Sequence, residues 1–317
     1  MAAVYIICFA EMKKVTVVLP VFNGEATIAR TLQSLTAQTF KDFEVIACID
    51  GSNDRSEEII KDILSNAGID FTVLKNEKNL SLAPTMNRLF AAASGEYIAI
   101  AEQDDVYLPY RLEEQVKILD AKNNVGIVSG IADFFDFDKN TSSYSFPGLL
   151  VNGQQYPTGI ENFKLNYIHQ IKVVNSCMMI RRSMHVNNGL YFDRHYGNVS
   201  ADWSYILRAS LVTDFYGIHK TLVHLDRTPG RQNITSYKEQ QHKSARELLR
   251  NFYFEYPHIV SKSMFREAMY NQYKNEIGVL KFSELIISLL FFRYPLSLLL
   301  NRIGEKVSMK LKGDKHK

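Results

Sequence analysis

Apolar residues in the first part of the chain fall into short unbroken runs, separated by stretches in which they recur every three or four positions. Residues 15–21 form one such run and predict a strand buried on both faces. Residues 26–38 follow with Ile28, Leu32 and Leu35 at i, i+4 and i+7, the stripe of a helix. The alternation continues with a strand over 43–49, a helix over 55–66 with Ile59, Ile60, Ile63 and Leu64 inward, and a strand over 71–74. A helix over 84–93 and a strand over 97–101 complete the series. Strand–helix repetition at this spacing predicts right-handed βαβ units on a mainly parallel sheet. Ligands of such sheets bind beyond the carboxyl ends of the strands. The polar loops Phe22-Asn23-Gly24-Glu25, Asp50-Gly51-Ser52-Asn53-Asp54 and Glu102-Gln103-Asp104-Asp105 all belong to that edge.

After residue 126 the pattern changes. Residues 126–135 and 173–182 read as strands, residues 201–212 as a helix opening with Asp202 and Trp203, and residues 215–225 as a hairpin or one extended strand. Between the first two lies 136–170, rich in Asn, Tyr, Gly and Ser. It is too long for a passive connector and is expected to contribute to a substrate pocket. From about residue 236 the chain reads as helical. The expected division is an extension over 1–11, a main domain over 12–235 with halves 12–125 and 126–235, and a helical region over 236–317. The first ten residues are apolar but lack a basic start and a cleavage site, and Met12-Lys13-Lys14-Val15 reads as the more natural beginning.

Composition narrows the classes. Among 317 residues, 46% are hydrophobic and 22% charged, as in ordinary globular proteins. A net charge of +3 does not call for nucleic acid. It also sits at one end, since residues 301–317 carry +4 and the remainder −1. Cys8, Cys48 and Cys177 are odd in number and lack metal-ligand spacing; Cys48 and Cys177 sit in apolar runs and are expected to be buried thiols, which suits a reducing compartment. His169, His185, His195, His219 and His224 show no paired spacing for zinc.

The acids carry the chemistry. Glu102, Asp104 and Asp105 stand at the end of a buried strand, and carboxylates that close repel one another unless a cation or proton intervenes. A hard divalent metal, Mn²⁺ or Mg²⁺, holding a diphosphate is one solution; an acidic loop before the helix near Pro109 is the other. Asp50 ends another buried strand, where its carboxylate can accept a hydrogen bond from the imide N–H of uracil or thymine. Gly51 permits the turn that follows, and Asp54 is placed to cap the next helix.

Four ordered motifs resemble the family-2 glycosyltransferases of the GT-A fold. They are Val18-Leu19-Pro20-Val21-Phe22-Asn23-Gly24, then Ile49-Asp50-Gly51-Ser52-Asn53-Asp54, then Asn79-Leu80-Ser81 with Asn87-Arg88, then Gly95-Glu96-Tyr97-Ile98-Ala99-Ile100 with Gln103-Asp104-Asp105. The resemblance spans about residues 14–235. It implies a GT-A type α/β fold, with a Rossmann-like nucleotide-binding half, a mixed acceptor half and a C-terminal helical tail, and a nucleotide-sugar donor, UDP-linked or dTDP-linked. Asp50 resembles the family's base-recognising aspartate. Pro20, Phe22 and Asn23 would line the nucleoside pocket, and Asn87 and Arg88 would lie near the ribose and diphosphate. Glu102-Gln103-Asp104 occupies the place of the Asp-x-Asp motif, so Asp104 would ligate the metal with Glu102 and Asp105 assisting. Asp202 falls where the family's catalytic base falls, and an inverting transfer needs such a base for the acceptor hydroxyl. An aspartate favouring the helix dipole is the alternative. Trp203 would flank the acceptor sugar or fill the core. Arg227, Arg231 and Asn233 resemble a basic loop near the diphosphate, or form a solvated turn. Ile49, Glu102 and Ala201 depart from the usual aspartate, aspartate and glutamate.

The implied activity is inverting, metal-dependent transfer of a sugar to a glycan or lipid-linked glycan hydroxyl, in bacterial surface polysaccharide synthesis such as capsule or lipopolysaccharide. A nucleotidyltransferase would call for a Gly/Arg/Lys-rich triphosphate loop, absent from 20–24, and a dehydrogenase for Gly-x-Gly-x-x-Gly after the first strand. A non-catalytic sugar-nucleotide scaffold stays open. The apolar run 285–292, broken by Arg293 and Pro295 and followed by basic residues, is too short to span a bilayer. It suits contact with an anionic membrane surface, which would place the protein peripherally at the cytoplasmic face of the inner membrane. Docking on the catalytic domain or a homodimer contact is the alternative.

Overall fold

A computed structural model describes residues 12–146, 154–170, 173–196, 198–231 and 238–276. They divide into two compact units, 1–244 and 245–317. The first unit is a nine-stranded sheet flanked by helices. Its elements begin β1 (Val15–Val21), α1 (Ile28–Thr36), β2 (Phe43–Asp50), α2 (Ser56–Asn66), β3 (Phe71–Asn76), α3 (Leu82–Ala92) and β4 (Tyr97–Ile100). They continue with β5 (Val106–Tyr107), α4 (Arg111–Ala121), β6 (Val125–Asp136), β7 (Thr141–Phe146), α5 (Ile160–His169), β8 (Met179–Arg181), α6 (Arg182–Asn187), α7 (Ala201–Ala209) and β9 (Asp214–Asp226). Two further helices follow, α8 (Lys238–Glu255) and α9 (Lys262–Glu276). Within the second unit, Tyr253 of α8 stacks on Phe265 of α9 with ring centroids 4.6 Å apart.

The strand order is β3-β2-β1-β4-β8-β6-β9-β5, with β7 added to β6. The first four strands pair in parallel. β8 then runs antiparallel to both β4 and β6, so the second half is mixed, as the change of pattern at residue 126 implies. Alternate residues of β1 supply both cores, as period-two geometry requires. Val15, Val17, Leu19 and Val21 join Ile28, Leu32 and Leu35 of α1 and Ile60 and Leu64 of α2. Val18 points the other way, toward Met86, Leu89 and Phe90 of α3 and Tyr205 and Ile206 of α7. This burial on both faces is why the strands read as unbroken apolar runs. The register sets Val21 beside Ile49, and Asp50 beside Asn76, so the three strands end along one edge.

Folding resolves details that the apolar pattern left open. The described residues of 136–170 contain β7 and α5, and Phe163 and Tyr167 of α5 are fully buried and stacked 5.7 Å apart. The strand expected over 173–182 is reduced to β8, because Asn175–Cys177 form a single 3-10 turn that directs Asn175 toward Glu102. Trp203 belongs to the core, buried and donating its indole N–H to the Asn166 carbonyl at 2.9 Å. The segment 215–225 is one strand, β9, paired in parallel with β6 through several register shifts. Residues 1–11, Asn233 and the apolar-basic segment 277–317 lie outside the described residues. Among the described residues, no helix is long and apolar enough to cross a membrane.

Candidate active site

The loops leaving β1 and β2 are stapled together. Backbone N–H groups of Asn23, Gly24 and Glu25 donate to Ser52 Oγ, Ser56 Oγ and Asp54 Oδ2 at 2.9–3.0 Å. Asp54 Oδ1 also accepts from the N–H and hydroxyl of Ser56, the first residue of α2, although the N-cap position itself is held by Arg55. Gly51 has φ +72°, and a Cβ there would lie 2.4 Å from the Asn79 nitrogen, so only glycine lets the two backbones approach. That approach delivers the Leu80 N–H to Asp50 Oδ1 at 2.9 Å, beside the Asn76 amide at 2.8 Å. The second carboxylate oxygen of Asp50 has no partner among the described residues.

Beyond this edge opens a cavity of about 490 Å³, within the range of small-ligand sites. Pro20, Phe22 and Asp50 line one part of it. Glu102, Gln103, Asp104, Asp105 and Arg227 line another, and Asn79, Ser81, Thr85, Asn198 and Gln240 are also in its wall. Phe22 is 45% exposed, an aromatic face open to a base. Gln103 acts chiefly as a clamp: its amide accepts from the Phe22 N–H at 2.8 Å and donates to the Phe22 carbonyl at 3.0 Å.

Oxygen atoms of Glu102, Asp104 and Asp105 lie within 4.8 Å of one another. Burial, then the Asp104 charge, pushes Glu102 up to about 7. Burial raises Asp104 as well. Asp105 is raised well above the ordinary carboxylate range by burial and then by Asp104 and Glu102. Its Oδ2 is buried with no hydrogen-bond partner among the described residues, and the Ser176 hydroxyl and the Asp226 N–H ease the charge of the carboxylate. Three hard oxygen donors, mutually repelling and one of them orphaned, fit a hard dication. Asn175 donates to Glu102 Oε1 at 2.8 Å and holds that longer side chain in place.

Other expected residues stand outside the cavity lining. Asn23 is turned to its neighbour loop, its side-chain oxygen accepting from the Asn53 N–H at 3.3 Å. Asn87 grips the Phe192 backbone through both ends of its amide at 2.8 Å. Arg88 donates to the Lys75 carbonyl and to Asn76 Oδ1, so it supports Asp50 from behind through Asn76. Arg231 pairs with Asp226 and lies 3.5 Å from Asp138. Asp202 is the second residue of α7, four positions after Asn198 of the cavity wall; its Oδ1 accepts from the Trp203 N–H at 2.7 Å. Burial raises its carboxyl to about 6, and its charge is felt at Glu102.

Sequence reasoning missed Asp226, Arg30, Asn175 and Asn198. Asp226 closes β9 one residue before Arg227, and that strand-end position was its only signal. Arg30 lies on the first turn of a strongly amphipathic helix, beside the buried Ile28 and Thr31. Asn175 and Asn198 lie in irregular backbone that periodicity does not describe.

Residues 16–187, more than half of the chain, match the family described as glycosyl transferase family 2. EpsE of Bacillus subtilis, named as a glycosyltransferase, is 28% identical over 184 residues, 56% of this chain and 66% of that protein. An Escherichia coli protein named UDP-Glc:alpha-D-GlcNAc-diphosphoundecaprenol beta-1,3-glucosyltransferase WfgD is 29% identical over 116 residues, 37% of this chain and 44% of that protein. The chain thus spans less than two thirds of either relative. Among solved structures, S. aureus TarS 1-349 in complex with UDP-GlcNAc superposes with a TM-score of 0.63 at 18% identity, covering 88% of this chain and 80% of that one, which shows a shared fold. By the match over 16–187, the chain belongs to glycosyl transferase family 2.

Proposed function

We propose that this protein is an inverting, metal-dependent glycosyltransferase that moves a sugar from a UDP-sugar, or a dTDP-sugar, to a hydroxyl of a glycan or lipid-linked glycan. The observation that carries this reading is the single cavity lined by Asp50 and Phe22 and by the three clustered acids. Phe22 offers a stacking face and the unpartnered Asp50 oxygen an acceptor for an imide N–H. Asp104, with Glu102 and Asp105, would hold Mn²⁺ or Mg²⁺, and Arg227 would lie against the diphosphate. When bound, the dication would offset charge developing on the departing diphosphate. Asp202 would take the acceptor hydroxyl proton as that oxygen forms its bond to the anomeric carbon. The anomeric carbon–phosphate oxygen bond breaks, and the nucleoside diphosphate leaves with the electron pair. The uridine nucleotides in the WfgD name and the TarS complex support the donor, and the diphosphoundecaprenol in the former supports a lipid-linked acceptor. Such an acceptor sets the reaction at the cytoplasmic membrane face in bacterial surface polysaccharide synthesis.

A panel of nucleotide sugars, scored by thermal stabilisation with and without Mn²⁺, tests the donor class. A UDP-sugar or dTDP-sugar that stabilises only with metal is expected; stabilisation by none contradicts the reading. Asp50→Asn is expected to weaken UDP binding about 10- to 100-fold, the loss of one charge-assisted bond, and to narrow the preference for UDP over CDP. Calorimetry on both nucleotides reads this, and an unchanged UDP affinity counts against base recognition by Asp50. The pH profile has a definite sign. A base raised to about 6 is protonated below that value and inactive. The kcat/KM should therefore fall as pH drops through about 6, and a flat profile down to pH 5 would exclude Asp202 as the base.

A further inference from the structure

The three acids are backed by a charged structure that the reaction scheme above does not use. Asp226 ends β9 with its side chain only 2% exposed. Its Oδ2 accepts from Arg30 Nη2 at 2.7 Å and from Arg231, and its Oδ1 from the Thr228 N–H at 2.9 Å. These bonds hold its carboxyl below the usual range in spite of burial. The same Arg30 nitrogen donates to the Asp104 carbonyl at 2.8 Å, and the guanidinium lies 3.6 Å from the Phe137 ring centre. The Asp226 N–H in turn donates to Asp105 Oδ1 at 3.1 Å.

Each bond has a consequence for the acids. The Arg30 bond fixes the backbone at Asp104, the residue whose side chain enters the cavity. The Asp226 N–H occupies one oxygen of Asp105 and leaves the other, the buried unpartnered Oδ2, as that residue's available donor. Because Arg30 and Arg231 balance Asp226, the support adds no uncompensated negative charge to a site already crowded with it. A flexible pair of aspartates would have to be ordered against their own repulsion each time a dication bound, and a pre-set pair avoids that cost.

We propose that the Arg30–Asp226 ion pair is a positioning device that pre-sets Asp104 and Asp105 for a divalent cation. The inference rests on the metal-dependent reading of the cavity. Partners that orient ligands from behind typically contribute 10- to 100-fold in metal affinity. The test is Mn²⁺ binding in the absence of any donor, followed by electron paramagnetic resonance on wild type, Asp226→Asn and Arg30→Gln, with metal-free thermal melts in parallel. Asp226→Asn keeps an acceptor for Thr228 but loses the charge that holds Arg30; Arg30→Gln removes the bridge from the other side. Both variants are expected to remain folded at the assay temperature and to bind Mn²⁺ about 10- to 100-fold more weakly. Wild-type Mn²⁺ affinity in either folded variant overturns the proposal. Loss of the folded state in both variants also counts against it, since the pair would then serve folding. Absence of Mn²⁺ binding by wild type would instead sink the metal reading beneath it.

Discussion

Replacing Asp202 by Asn is expected to lower kcat by about 10²- to 10⁴-fold, the range contributed by a positioned general base. The change is nearly isosteric. The amide oxygen can still accept from the Trp203 N–H, as Oδ1 does now, so α7 keeps its first turn. What is lost is a carboxylate that can take a proton. Because Asp202 does not line the cavity that Phe22 and Asp50 share, the KM for the donor should change by no more than about threefold. A fall in kcat with a nearly constant donor KM marks an interaction made in the transition state. A scaffold would release no nucleoside diphosphate in either protein, so the assay separates an enzyme from a binder. Equal turnover of wild type and variant would return Asp202 to the alternative reading, an aspartate favouring a helix N-terminus.

Asp104→Asn has two expected effects of opposite sign. In the metal-free protein, the Asp104 charge contributes to the raised values of Glu102 and Asp105. Removing it relieves a repulsion between buried carboxylates, so metal-free thermal stability should rise. With Mn²⁺ present the order reverses, because the variant lacks a hard oxygen donor and should lose most of the stabilisation that binding confers. Turnover should fall about 10³-fold or more, since positioning and charge offset at the diphosphate fail together. The Arg30 bond to residue 104 is made to the carbonyl and survives the substitution. Thermal melts with chelator and with Mn²⁺, on both proteins, show whether the curves cross. A variant less stable in chelator, or one retaining the wild-type Mn²⁺ shift, contradicts the assignment.

What the sequence made legible follows from what periodicity and strand-end chemistry encode. β1, β2, β4 and their helices were readable because both faces of each strand are buried, which makes the apolar runs continuous. Asp50 and the acids of 102–105 stood out because a carboxylate at the end of a buried strand is hard to explain by packing. The second half was less readable because its strands pair in mixed directions and one of them, β8, is only three residues long. Asn87 and Arg88 were drawn toward a ligand by their place in a motif. Their bonds to the Phe192 backbone and to Asn76 depend on segments brought together only by folding. Trp203 illustrates the same limit, since its partner Asn166 is distant in sequence and lies in a helix, α5, whose pattern was not recognised. Asp226 and Arg30, 196 positions apart, carry no local signal of their pairing.

The most direct test of the account is a crystal structure of the wild-type protein with UDP and Mn²⁺, with anomalous scattering used to locate the metal. The account predicts uracil against Phe22 with its imide at Asp50, and an anomalous peak bound by Asp104 and bridging to the diphosphate. UDP bound elsewhere, or a peak remote from Glu102, Asp104 and Asp105, would contradict it.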